Sequence, residues 1–300
     1  MALGLSLINK ITAKLELSTV TQKMNHPNNK IAVIKVGGDV LLDPQESGGL
    51  AENILELRAS GWSIVVLHGG GPQVNRLQTC HGLVANKVAG RRITSEKDLL
   101  VVKQAIAGEV NVNLVAALSK VGLPAFGCHG ASAGLIKATK RPPVIITGGG
   151  VKPIDFGEVG DVTNINAKLL SGLLDLDVIP VIATLGISDQ GQIFNINADT
   201  TVVQIAKALK ANLLLLTTQV GGVFVDLKDP STRINEVNRE KARRLIEDGR
   251  IQGGMIPKVE EAMTLLSEGV ETIAIVSGKH PGAFMAVAEG TGQYGTRIIA

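Results

Sequence analysis

The sequence predicts an α/β protein, a three-layer αβα sandwich around a largely parallel central sheet. Three observations carry that expectation. Short apolar runs at residues 31–36, 64–67, 213–216 and 273–276 alternate with amphipathic helical stretches, as strand–helix crossovers do. Glycine is abundant, 35 of 300 residues, and collects at the ends of those runs without a collagen-like period. Hydrophobic residues make up 45% of the chain but aromatics only 2%, so Val, Ile, Leu and Ala must build the core. A chain of this length can fold as one large or two medium domains.

Taken in order, residues 5–17 place Leu5, Ile8, Leu15 and Leu17 at helical spacing, and His26-Pro27 ends the pattern. An appended helix within residues 1–26 is expected to dock on its own domain or on a neighbouring subunit. Residues 31–36 read as a strand ended by Gly37-Gly38-Asp39, and residues 50–59 as the crossover helix to a strand at 64–67. This βαβ unit is parallel, which brings both following turns to the carboxyl edge of the sheet. Lys35 inside the first strand is costly unless its ammonium emerges beside an anion. The second strand runs into His68-Gly69-Gly70-Gly71-Pro72, with Pro72 at a first helical position. Free N–H groups, the helix dipole and the missing Cβ atoms together suit an anion. A plain strand-to-helix turn is the simpler reading of any single such feature.

Residues 80–92 are polar and irregular, reading as a hairpin whose Arg91 and Arg92 are either solvated or grip a carboxylate. Ser95 with Asp98 starts a mostly helical stretch over 94–118. Residues 125–136 and 144–162 read as short strands and hairpins that form a polar lip over the crevice. A helix at 167–174 and a strand at 178–185 follow. Residues 193–199 then lead into a helix through Leu209, with Asn197 or Asp199 available as its cap. Beyond the strand at 213–216, residues 228–234 read as a loop and 239–247 as a charged surface helix. Pro257 opens another helix, 273–276 is a strand and 295–299 an edge strand. Lys258 stands at that helix start, against the dipole, a position that makes sense beside an anion.

The formal charge is +3 with acids and bases interleaved, and there is one Trp and one Tyr. Such a chain offers neither stacking platforms nor a basic stripe, so no nucleic-acid partner is expected. Cys80 and Cys128 lack metal spacing and read as reduced thiols. No apolar run approaches a membrane span, and Lys10, Lys14 and Glu16 break any signal-peptide layout. A cytoplasmic enzyme or small-molecule binder without a membrane partner fits these features.

Two glycine turns, two lysines in unusual settings and a carboxylate at a helix start suit phosphoryl transfer, which needs positioned cations and N–H dipoles more than covalent groups. A Gly-x-x-x-x-Gly-Lys-Ser/Thr loop is missing, and so is the strict dinucleotide fingerprint. Four segments in this order resemble the amino-acid kinase family: Lys35-Val36-Gly37-Gly38, His68-Gly69-Gly70-Gly71-Pro72-Gln73, Asn195-Ile196-Asn197-Ala198-Asp199 and Gly254-Met255-Ile256-Pro257-Lys258-Val259. The resemblance runs from about Ile31 to the C-terminus and is strongest to the branch that phosphorylates N-acetyl-L-glutamate for arginine biosynthesis.

That resemblance implies the amino-acid kinase fold, with a substrate lobe over residues 27–215 and a nucleotide lobe over 216–300. It implies that Lys35 and Lys258 stabilise the transferring phosphoryl group while Asp199 holds both ammoniums. Gly38 would contact phosphate, Gly70, Gly71, Arg92 and Asn195 the amino-acid substrate, and Gly222, Gly253, Gly254 and Met255 the nucleotide. ATP with Mg2+ carried on it would be the phosphoryl donor, and a homo-oligomer, dimeric or larger, is implied. The chain departs from the family pattern at residues 127–134 and at Gln219. A kinase of N-succinylglutamate or carrier-linked aminoadipate, or a non-catalytic arginine- or nucleotide-binding paralogue, remain alternatives.

Overall fold

The computed structural model describes residues 30–145, 152–226, 228–251 and 270–299, with Ile256, Val259, Ala262, Met263 and Leu266. The helix expected at residues 5–17 lies outside the described residues. Strand β1 (Ile31–Val36), helix α1 (Pro44–Ala59) and β2 (Ser63–His68) form the expected parallel βαβ unit, in register from Ile31↔Ser63 to Val36↔His68. Helix α1 starts well before the expected residue 50, because the Asp43 side chain accepts the Gln45 N–H at 2.9 Å and Pro44 occupies the first turn. Gly49 within this helix has a packing reason: a Cβ there would sit 2.3 Å from the Gly278 carbonyl. Asn53 reinforces that approach, its Nδ2 donating to the carbonyls of Gly278 (3.0 Å) and His280 (2.9 Å).

Helix α2 (Gly71–Cys80) follows β2, and the expected arginine hairpin is β3 (Lys87–Val88) with β4 (Arg91–Arg92). Ser95 and Asp98 form a full capping box for α3 (Glu96–Lys103), which continues through a π-helical segment (Gln104–Val110) into α4 (Asn111–Lys120). Together, Glu96–Lys120 is 25 residues with a mean hydropathy of 1.3 in its most apolar window, long and apolar enough to cross a membrane. That corrects the expectation that no such run exists. Here the helix buries Val102, Ala105, Leu114 and Leu118 against the rest of the fold and exposes Glu96, Lys103 and Lys120.

The chain continues with β5 (Ala125–His129), β6 (Ile136–Lys140), β7 (Val159–Ile165), α5 (Ala167–Asp175), β8 (Ile179–Ala183), β9 (Leu185–Ile187), β10 (Ile193–Ile196) and α6 (Ala198–Leu209). After β11 (Leu213–Thr217) come β12 (Val223–Phe224), β13 (Arg233–Ile234), β14 (Glu236–Val237), α7 (Arg239–Glu247), β15 (Thr272–Val276), α8 (Ala283–Glu289) and β16 (Thr296–Ile298). Among the described residues the central sheet runs β14-β16-β15-β11-β1-β2-β8-β5, with β16 antiparallel to β15. One sheet therefore contains strands from both sides of residue 216.

Strand alternation decides which side chains face which layer. Ala32, Ile34, Val66 and Leu215 pack with Leu50, Ile54, Leu114 and Phe284 of α1, α4 and α8. Val33, Val65, Leu67 and Leu214 pack with Val202, Ile205 and Leu209 of α6. Each fully buried aliphatic side chain contributes about 1.5–3 kcal/mol, and both faces are covered, as a parallel sheet requires.

The sequence expectations miss three features. The expected lip divides: β5 joins the edge of the central sheet beside β8, whereas β6 and β7 close with β9 and β10 into a four-stranded barrel, β10-β7-β6-β9, entered where β8 leaves the main sheet at Thr184. Two of its pairings, β7 with β10 and β6 with β9, are distant in sequence, and a Cβ on Gly130 would meet the Leu185 carbonyl at 1.8 Å where barrel and sheet touch. Residues 228–234 are not simply a loop, since β13 pairs back on β12. Strand β16 is not at the edge either, because β14 pairs outside it.

Candidate active site

The sheet grows from β1 in two directions, through β2 on one side and β11 on the other. Such a switch point opens a crevice at the carboxyl ends of the strands, where ligands of open α/β sheets bind. Here the turns after β1, β2 and β11 converge with the N-termini of α2 and α6.

The two glycine turns touch. A Cβ on Gly38 would lie 2.9 Å from the Gly70 Cα and 2.9 Å from the Pro72 ring. Gln73 ties them together, its Nε2 donating to the Gly38 carbonyl at 2.9 Å, while its buried Oε1 meets no donor among the described residues. Helix α2 begins at Gly71, one residue before the expected Pro72, which stays within its first turn. The Gly69 N–H donates to the Val36 carbonyl, so the turn starts as an extension of the β1–β2 ladder.

Alternation places Lys35 on the same face as Val33, the face covered by α6. Its Nζ meets Asp199 Oδ1 at 2.9 Å, with the lysine side chain 11% exposed and the aspartate 36%. Asn197 is the helix cap, its side chain accepting the Thr200 N–H at 3.0 Å. Asp199 sits in the first turn of α6, where the dipole favours its charge. The second glycine turn adjoins the same helix start, since a Cβ on Gly69 would meet Ala198 at 3.8 Å.

Arg92 folds back on α2, its guanidinium donating to Gln78 and Asn75 side chains and, at 3.4 Å, to the Gly71 carbonyl. Burial lowers its pKa and the Asp98 charge opposes that shift. Asn195 is half-buried on β10, its Nδ2 donating to Thr94 Oγ1 at 3.1 Å. Arg92 is therefore brought to the second glycine turn, whereas Asn195 is placed on the barrel next to the start of α3.

Gly222 is less central. A Cβ there would meet Thr296 Oγ1 at 3.1 Å and the Arg233 stem at 3.2 Å. The same turn reaches the first glycine turn through Gln219, whose Nε2 donates to the Asp39 carbonyl at 3.4 Å. Beside it opens a cavity of about 420 Å3 lined by Gln219, Gly221, Phe224, Arg233 and Lys279. Gly253, Gly254, Met255 and Lys258 lie outside the described residues. Both cysteines are free thiols, Cys80 exposed and Cys128 buried, with the latter's pKa pushed up to about 12 by burial.

Sequence reasoning did not single out His68, Asn111 or Gln73 as individual site residues. A histidine closing a buried strand before three glycines, and an asparagine among Val110, Leu114 and Leu118, were the available signals. Burial lowers the His68 pKa to about 4, against a smaller opposing effect of the Gly69 backbone hydrogen bond. The unfolded chain therefore binds more protons between pH 6.5 and 4, and stability falls as pH drops through that window. Urea titrations of the native protein should show a loss of about 3 kcal/mol from this residue between pH 7 and pH 4. In His68→Asn that part of the pH dependence should vanish.

The amino acid kinase family pattern matches residues 30–277. An acetylglutamate kinase of Anaeromyxobacter dehalogenans (strain 2CP-C) is 42% identical over 268 residues, 89% of this chain and 98% of that one. One from Methanocaldococcus jannaschii is 37% identical over 297 residues, covering 98% of each. The solved structure of smu.665 from Streptococcus mutans UA159 superposes with a TM-score of 0.71 at 28% identity, over 90% of this chain and 98% of that one. The family match takes in the lysine–aspartate pair and both glycine turns, and the chain belongs to the amino acid kinase family.

Proposed function

We propose that the chain transfers the γ-phosphoryl group of ATP to the side-chain carboxylate of N-acetyl-L-glutamate, giving N-acetyl-γ-glutamyl phosphate and ADP in arginine biosynthesis. The carrying observation is the Lys35–Asp199 pair at the switch point between two touching glycine turns. Its setting in a chain similar to acetylglutamate kinases supports the acceptor.

The acceptor carboxylate is ionised near neutral pH, so the reaction needs no general base. Its difficulty is bringing two anions together, and positioned cations and N–H dipoles supply that. Lys35, oriented by Asp199, would neutralise the migrating phosphoryl group from one side and Lys258 from the other. The Gly38, Gly70 and Gly71 N–H groups would surround it, and Arg92 and Asn195 would hold the acetylated amino acid. Gly222, Gly253, Gly254 and Met255 would border the nucleotide, and the cavity beside Gly222 has room for part of it.

Among the described residues no group of three or more His, Cys, Asp or Glu forms a metal cage, and Asp199 already faces Lys35. This donor set suits a Mg2+ held mainly by the nucleotide phosphates, where it would offset their charge. Residues 27–215 would form the substrate lobe and 216–300 the nucleotide lobe, in a cytoplasmic homo-oligomer. An ADP-release assay with acetylated, succinylated and free glutamate tests the assignment. Turnover with the acetylated acceptor should exceed the others by about tenfold or more. Preference for the succinylated acid would reassign the acceptor, and no ADP from any of them would leave a binding paralogue.

A further inference from the structure

We propose that His68, set by Asn111, is a positioning residue: its Nδ1–H holds the Gly69 carbonyl inward and thereby turns the Gly70 N–H out towards the reacting groups. The proposal rests on the site reading above and adds the element that orients its second turn.

His68 is fully buried, and its Nδ1 lies 2.9 Å from the Gly69 carbonyl oxygen. A carbonyl only accepts, so Nδ1 carries the proton and Nε2 presents a lone pair. Asn111 Nδ2 donates to that lone pair at 2.9 Å. The same amide nitrogen also points at the Val181 carbonyl (2.9 Å) and the Cys128 carbonyl (3.3 Å). Two carbonyls of the central sheet thus fix which end of the amide faces the ring, and the amide fixes the tautomer. The chain of bonds runs from β8 and β5 through α4 and β2 and ends on the glycine turn.

The turn needs such a holder. Carbonyl and N–H of a trans peptide unit point in opposite directions, so pinning the Gly69 oxygen inward sends the Gly70 N–H outward. Glycine on both sides of that unit removes the steric preference that would otherwise oppose a flip. Gln73 holds the Gly38 carbonyl of the first turn in the same manner. A histidine that served packing alone would satisfy its nitrogens within the sheet rather than on a turn that faces the crevice.

The test compares His68→Phe, which keeps a ring but loses the donor, with His68→Asn, whose amide nitrogen occupies the Nδ1 position. In the full-length enzyme at pH 7.5, His68→Phe should lower kcat about 10- to 100-fold, the scale of an ångström-level misplacement, with the KM for ATP nearly unchanged. His68→Asn should recover most of that loss although it no longer meets Asn111. Equal losses in both variants, or wild-type kcat in His68→Phe with only a lower melting temperature, would overturn the proposal. Should His68→Phe fail to fold, nitrogen-15 shifts of the His68 ring in the native enzyme decide: protonated Nδ1 with bare Nε2 at pH 6–8 supports it, and the reverse tautomer overturns it. Lys35→Met separates the two readings, because full turnover in that variant refutes the site itself. A dead Lys35→Met beside a fully active His68→Phe refutes this proposal alone.

Discussion

Lys35→Met is expected to lower kcat about a thousandfold while leaving the protein folded. Methionine fills the same narrow path along the α6 face of β1, between positions occupied by Val33 and the glycine turn, so packing is kept. What disappears is the ammonium 2.9 Å from Asp199. Removing one partner of a deeply buried pair is costly, but the Asp199 side chain is 36% exposed and water can take the vacated place. The lost charge acts on a group whose negative charge shifts during transfer, so kcat and kcat/KM should fall together. A rise in KM for ATP with kcat unchanged would show that Lys35 only binds ground-state phosphate. Steady-state kinetics with both substrates varied, alongside urea unfolding, separates these results.

Lys258→Ala is expected to abolish ADP release with the fold intact. The sequence places Lys258 next to Pro257 at an expected helix start, where the dipole would oppose a cation and an anionic ligand would give it a purpose. The packing of that segment is carried by other residues, since Val259, Ala262 and Met263 are buried in the core on the α6 side of the sheet. Circular dichroism and the unfolding midpoint should therefore match the native protein while turnover drops below detection. Unchanged turnover would remove the second cation from the mechanism.

Much of this site was legible because it is local. Lys35 inside an apolar strand, three glycines before Pro72 and a carboxylate at a helix start each follow from short-range rules, and strand alternation alone turns Lys35 towards α6. Local rules alone could not divide Asn197 from Asp199, because both are good residues near a helix start; only the family resemblance pointed to Asp199. The structure divides the roles, with Asn197 capping and Asp199 facing Lys35. The barrel was not legible as a barrel, since β6–β7 and β9–β10 look like ordinary hairpins until β6 pairs with β9 and β7 with β10. The π-helical segment over Gln104–Val110 leaves no distinct periodicity, yet Ile106 and Val110 from it press against Gly70. The buried polar chain through His68 and Asn111 escaped notice for a related reason: its members come from four elements, and no spacing links them.

A crystal structure of the enzyme with N-acetyl-L-glutamate and a non-hydrolysable ATP analogue would place both ammoniums relative to the phosphoryl group. The Lys35 and Lys258 ammonium nitrogens are both expected within about 2.7–3.2 Å of oxygens on the terminal phosphoryl group, with Asp199 behind them and the Gly70 N–H pointing at the reacting atoms. A terminal phosphoryl group held away from Lys35, with the two ammoniums on opposite faces of the molecule, would contradict it.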